Sequence, residues 1–202
     1  DVDLYCASGS NEFTAGSKKY QDQFFVKDGK GHFTVDTAAL PVNYTSKSCV
    51  KAADIDNDGD MDLFLGGRVL PGQYPYPVSS FIYRNDSQPG RIQFTDVTNE
   101  VAPALKNIAL VCDALFTDFD NDGLTDLMLA GEWMPLSFFK NKAGRFDNVT
   151  AQSGIARETG WWNSLAAGDF DNDGDMDYIA GNLGTNSFYR SGKPYPVNMY
   201  AK

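Results

Sequence analysis

The sequence predicts an all-β fold made of repeated units of four antiparallel strands. Three observations carry this prediction. Apolar segments are short, rich in Phe, Tyr and β-branched residues, and are punctuated by Gly, Pro and Asn. They are too short for amphipathic helices with a 3.6-residue period. One acidic pattern returns three times at related spacings, the mark of a repeat architecture.

The strands are expected in a fixed order within each unit. Entering strands are read at 49–54, 111–117 and 164–168, each running into an acidic loop. Leaving strands follow at 3–7, 62–66, 126–130 and 177–181. A second strand comes next, at 23–28, 80–85, 136–141 and 186–191. A third follows a polar turn at 31–36, 91–98 and 144–150. Units of four antiparallel strands at this spacing predict propeller blades. The chain then divides into a partial blade at 1–48, blades at 49–110 and 111–163, and a partial blade at 164–202. Open blade faces and edges need cover, so the remaining blades of a longer parent chain are expected as partners.

The three acidic segments are Asp54–Asp62, Asp118–Asp126 and Asp169–Asp177, each of the form D-x-D-x-D-G-x-x-D. Carboxylates crowd only where something offsets their repulsion, and a cation does that. Positions 1, 3 and 5 are Asp54, Asp56 and Asp58; Asp118, Asp120 and Asp122; and Asp169, Asp171 and Asp173. They converge when the loop curls, and the glycine at position 6 is expected to avoid a Cβ clash at the sharp turn. Position 7, which is Asp60, Leu124 or Asp175, offers a backbone carbonyl, so its side chain is free to vary. Position 9, which is Asp62, Asp126 or Asp177, ligates directly or through water. All-oxygen donors without His or Cys point to Ca2+ at about three sites. The loops are not EF-hands: position 12 is Leu65, Leu129 or Ala180 instead of a bidentate Glu, and strands flank them.

The segments "DIDNDGDMDLFLGG", "DFDNDGLTDLMLAG" and "DFDNDGDMDYIAGN", with the F-x-N-x-x-G-x-F-x-x-V-T form at Phe139 to Thr150, resemble FG-GAP/VCBS repeat proteins, whose blades are similar to those of the integrin alpha-subunit propeller. The resemblance spans nearly the whole chain. It implies a β-propeller with calcium-binding loops and an extracellular, periplasmic or cell-surface location of the bacterial secreted type. It carries over no ligand-binding residues.

Charge narrows the partners. The net charge is -10. Five, four and five aspartates sit in the three loops, and the rest of the chain is mildly basic. Nucleic acid and anionic membrane are disfavoured, and no apolar run is long enough for a transmembrane segment. Cys6, Cys49 and Cys112 have no metal-type spacing and read as free thiols in strands, with one disulfide as the alternative. Asn43, Asn85 and Asn148 begin glycosylation-type tripeptides.

The function predicted is a calcium-binding repeat domain with a structural or binding role toward a protein or glycan. The alternative is part of a calcium-dependent polysaccharide-active enzyme. Glu132 and Trp133, which follow one loop strand, and Trp161 and Trp162, which precede another, are the candidate ligand-binding residues. Packing alone also accounts for them. His32, the single histidine, reads as a surface residue, and no catalytic residue is assigned. The proline-rich stretch 71–80 is either a binding loop or a connector.

Overall fold

The structure is a computed structural model and describes residues 2–184, 196–198 and 200. Its described part is predominantly β, in several antiparallel sheets. The first sheet holds β1 (Leu4–Cys6), β2 (Gln23–Lys27) and β3 (Phe33–Asp36), in that order. The second holds β4 (Ser46–Ala53), β5 (Asp62–Val69), β6 (Phe81–Asn85) and β7 (Phe94–Asp96). A helical turn, α1 (Thr98–Val101), follows. In the third group β8 (Leu110–Thr117) pairs with β9 (Asp126–Met134), and β9 continues to β10 (Ser137–Asn141) and β11 (Phe146–Asn148). The hairpin of β12 (Gly160–Gly168) and β13 (Asp177–Asn182) joins the far end of β9, with Gly160 opposite Met134 and Trp161 opposite Glu132.

The expected strand order is therefore present, with shifted bounds. Entering strands begin earlier than read, so Trp161 and Trp162 lie inside β12, not ahead of it. Bulges between Ser46 and Cys49 let β4 keep pairing past Gly67. The third strands are shorter than read. The Thr98 hydroxyl accepts the Ile82 N–H at 2.9 Å, and the Thr150 hydroxyl accepts the Phe138 N–H at 3.0 Å. Each threonine thereby ends the third strand and turns the chain into a short helical segment. The strand read at 186–191 and the residue Asp1 lie outside the described residues.

Alternation along β5 explains how the sheets stack. Leu63 and Leu65 pack with Phe24, Ala39, Tyr83 and Phe94, toward the first sheet. Phe64 points the other way and packs with Val111, Leu127, Leu129 and Phe139 of the third. A strand buried on both faces needs an unbroken apolar run, and "LFL" supplies it. Gly67 and Gly131 end these runs because a Cβ there would come within 2.1 Å of the Ser79 carbonyl and 2.5 Å of the Leu110 carbonyl.

The entering strands lie beside one another. The Ser48 hydroxyl donates to the Val111 carbonyl at 2.7 Å, joining β4 to β8. Asp113 of β8 pairs with Lys51 of β4 at 2.8 Å and accepts the Leu165 N–H of β12 at 2.9 Å. Polar side chains thus join the entering strands β4, β8 and β12 to one another.

A buried ion pair ties the first sheet to the second. The Lys47 ammonium donates to the carbonyls of Tyr20, Asn43 and Thr45 and sits 3.3 Å from Asp22. Asp22 also accepts from the Tyr5 hydroxyl at 2.5 Å and the Ser8 N–H at 2.7 Å. Burial pushes the Asp22 carboxyl up and the Lys47 ammonium down. Every donor and acceptor is nonetheless paired, so the pair persists. Removing one charge strands the other, at a cost of about 3–5 kcal/mol. Asp22→Asn is expected to lower the unfolding free energy by that amount in urea titration, with unchanged far-ultraviolet dichroism of the native state.

Candidate metal centre

Each acidic segment forms the turn between an entering and a leaving strand: β4 to β5, β8 to β9 and β12 to β13. The three turns share one backbone plan. The position 1 carboxylate accepts two loop amides. Asp54 takes those of Asp58 (3.2 Å) and Gly59 (3.0 Å). Asp118 takes those of Asp122 (3.1 Å) and Gly123 (2.8 Å), and Asp169 those of Asp173 (3.2 Å) and Gly174 (3.1 Å). Position 5 then accepts the position 7 amide at 2.9–3.0 Å in every copy. From position 7 this contact uses only the backbone N–H, which explains why Leu124 is tolerated there.

Two residues per loop adopt left-handed backbone. Gly59, Gly123 and Gly174 have φ of 95°, 85° and 94°. Nothing lies within 4 Å of where their Cβ would stand. The expected steric clash is therefore absent, and the glycine is needed for its φ alone. Asn57, Asn121 and Asn172, at position 4, have φ of 62°, 57° and 62°. Asparagine is the non-glycine residue that best tolerates this region. The invariant Asn of "DND" was legible in the three copies, but its role was not.

The carboxylates converge. Ligand oxygens of Asp54, Asp56 and Asp58 lie within 4.8 Å of one another. The same holds for Asp118, Asp120 and Asp122, and for Asp169, Asp171 and Asp177. These three clusters can coordinate a metal ion. Their donors are all oxygens, which fits a hard cation and not a thiolate or imidazole metal.

Position 9 has a second task. Asp62 accepts the Asn85 N–H at 2.8 Å and the Ile55 N–H at 3.3 Å. Asp126 accepts the Asn141 N–H at 2.7 Å and the Phe119 N–H at 3.3 Å. Both carboxylates are almost fully buried. They strap the loop start to the end of the second strand. In the third copy Asp177 takes the Phe170 N–H at 2.9 Å and also joins the cluster.

Neighbouring loops are linked. The Asn141 amide donates to the Ile55 carbonyl in the first loop (2.7 Å) and to the Thr125 carbonyl in the second (2.9 Å). The Asn121 amide reaches Asp175 of the third at 3.4 Å. Lys140 pairs with Asp122 at 2.7 Å and with Asp120. The loop carboxylates hold its ammonium above the usual lysine range. The corresponding Arg84 pairs with Asp86 at 2.8 Å, away from the first loop's cluster. The first two loops are therefore unequal, since a tethered ammonium competes for two carboxylates in the second, whereas Arg84 pairs elsewhere. Lys140→Met is expected to strengthen divalent-cation binding at that site about tenfold, read by calorimetric titration.

Burial, the largest cause, pushes the Asp62 carboxyl up to about 6 and also raises Asp126. A carboxyl raised in the folded state stabilises the fold fully below its unfolded value near 3.8 and loses that contribution as pH rises through about 6. A nearby cation keeps the same groups ionised and reverses the sign. Melting temperature in chelator is expected to hold or rise between pH 7 and pH 5, and to fall over the same range with a saturating divalent cation. Parallel pH profiles would contradict this.

The candidate ligand-binding residues lie elsewhere. Glu132, Trp133 and Trp161 meet where β9 pairs with β12, while the Trp162 indole donates to the Glu158 carbonyl at 3.2 Å. The three cysteines are free thiols in β1, β4 and β8. The three candidate glycosylation asparagines each accept the amide two residues on, at 2.9–3.1 Å, so they act as local turn formers. His32 is exposed beside Asp28.

No curated protein matches this sequence. The model of the FG-GAP-like repeat matches residues 1–65 and 118–180, which take in all three acidic loops. With that match over more than half of its length, and with the loop geometry described above, the chain belongs to the FG-GAP-like repeat family.

Proposed function

We propose that this chain is a calcium-stabilised section of a β-propeller, with a structural or binding role toward a protein or glycan. The observation that carries the reading is the repeated loop: three turns with one hydrogen-bond plan, each gathering three carboxylates. Calcium fits the donor set best. Carboxylates and a loop carbonyl, completed by water, would match its flexible oxygen coordination. Bound there, the ion would neutralise the carboxylates and hold two strands of each sheet together. Asp60, Leu124 and Asp175 would contribute through their carbonyls.

Radial blades are favoured by the contacts among β4, β8 and β12, which place the entering strands side by side. The two ends of the stack favour further blades in a longer parent. Val35 of β3 and Ile179 of β13 are 46% and 57% exposed, as unpartnered sheet faces would be. No helix among the described residues is long and apolar enough to cross a membrane. A setting outside the cytoplasm is part of the proposal, because calcium there fills sites of modest affinity.

A binding role is preferred over catalysis on one observation. Both oxygens of Glu132, the candidate acid or base, are already held by Arg68 at 2.5 Å and Tyr74 at 2.8 Å.

Calcium titrated calorimetrically into chelator-treated protein is expected to fill about three sites and raise the melting temperature. Asp56→Ala is expected to remove one site and to lower stability in calcium by more than in chelator. Equal losses under both conditions would overturn the assignment.

A further inference from the structure

The far ends of β5 and β9 carry a second cluster. Arg68 and Glu132 each stand six residues beyond the position 9 aspartate of their loop, which is roughly 20 Å along a strand. The Arg68 guanidinium meets Glu132 there, and the Tyr74 hydroxyl donates to the other Glu132 oxygen. The Trp133 indole donates to the Tyr74 oxygen at 2.8 Å, and Trp133 and Trp161 pack edge to face at 5.5 Å.

Two features set this cluster apart from ordinary packing. Arg68 Nη1 and Trp161 Nε1 are buried donors without a hydrogen-bond partner among the described residues. A buried donor left unpaired loses its hydration without a compensating bond. Trp133 also has φ of 61°, a region that bulky side chains rarely occupy. Unsatisfied donors and a strained backbone residue in one place mark a site whose geometry is held for a ligand.

Charge selects the ligand class. Arg68 and Glu132 neutralise one another, so an anion would meet Glu132 and a cation would meet Arg68. A neutral ligand rich in oxygens can accept from both unused donors and donate to Glu132. Flat apolar ring faces ask for a ligand with a C–H face. A neutral pyranose combines these properties. We propose that Arg68, Tyr74, Glu132, Trp133 and Trp161 form a binding site for a neutral glycan. Tyr74, the most exposed of the cluster at 40%, is the cover that the sugar displaces to reach the two donors. This rests on the binding role proposed above and not on the metal assignment.

The chain's three tryptophans, Trp133, Trp161 and Trp162, all lie in or beside this site, so tryptophan emission, excited selectively over the ten tyrosines, reports on it. The protein is titrated with cello-, malto-, xylo-, manno- and laminari-hexaose, in calcium and in chelator, with alginate as the anionic control. At least one neutral hexaose is expected to shift the emission. Tyr74→Phe, which frees the cover from Glu132 and Trp133, is expected to strengthen that response about tenfold, and Arg68→Met to remove it. No response to any neutral hexaose, a response to alginate alone, or a response unchanged in Tyr74→Phe would overturn the proposal. An ordered water between Arg68 and Trp161 would then be the structural occupant. Calcium binding without a sugar response overturns the glycan site alone. A sugar response without calcium binding overturns the metal reading alone.

Discussion

Mutual repulsion of carboxylates at the strand turns is the constraint that shapes this molecule. Two like charges about 4 Å apart repel by about 1 kcal/mol in water and by about 4 kcal/mol in less polar surroundings. In the first loop three carboxylates approach this spacing. Part of the repulsion is offset by the amides of Asp58 and Gly59, which are aimed at Asp54. A cation held by the cluster would offset the rest. Because each loop joins two paired strands, β4 to β5, β8 to β9 and β12 to β13, whatever neutralises the loop also fixes that hairpin.

The loops are not independent turns. Asp62 and Asp126 lock each loop start to the end of the second strand, and burial makes that lock sensitive to protonation. Asn141 then binds the second loop to the first. The turn after it presses on the same place, since Gly144 has φ of 86° and its missing Cβ would stand 3.1 Å from the Asp56 Cβ. A cation bound in one loop would therefore also steady the hairpin of the neighbouring sheet. Between the loop ends, the interior is set by strands that bury both faces, as Phe64 and Leu65 do on opposite sides of β5.

Much of this was legible in the sequence. The loop pattern located the turns, and the apolar runs after them located β5, β9 and β13, because a ligand pattern and an apolar strand both leave signals within a few residues. The bulges that lengthen β4 and β12 were not legible, since they depend on pairing partners. Asn141 recurs with Asn85 in "FKN" and "YRN", a repeat that was visible, but its bonds run to other parts of the chain. Lys140 and Arg84 occupy matching positions and go to different partners, which no local pattern reveals. Glu132 and the tryptophans were noticed as chemistry-bearing residues. Arg68 and Tyr74, which complete their cluster, were hidden by sequence separations of 64 and 58 residues from Glu132.

The most direct test of the central claim is amide hydrogen exchange at Gly59, Gly123 and Gly174, with Asn141 as the reporter between loops, in calcium and in chelator. If cation-neutralised carboxylates hold the turns, calcium slows exchange at all three glycines at least tenfold, and protection of Asn141 rises with it. Exchange at these four amides that is the same with and without calcium would mean that the turns stand on their backbone hydrogen bonds alone, and would contradict the account.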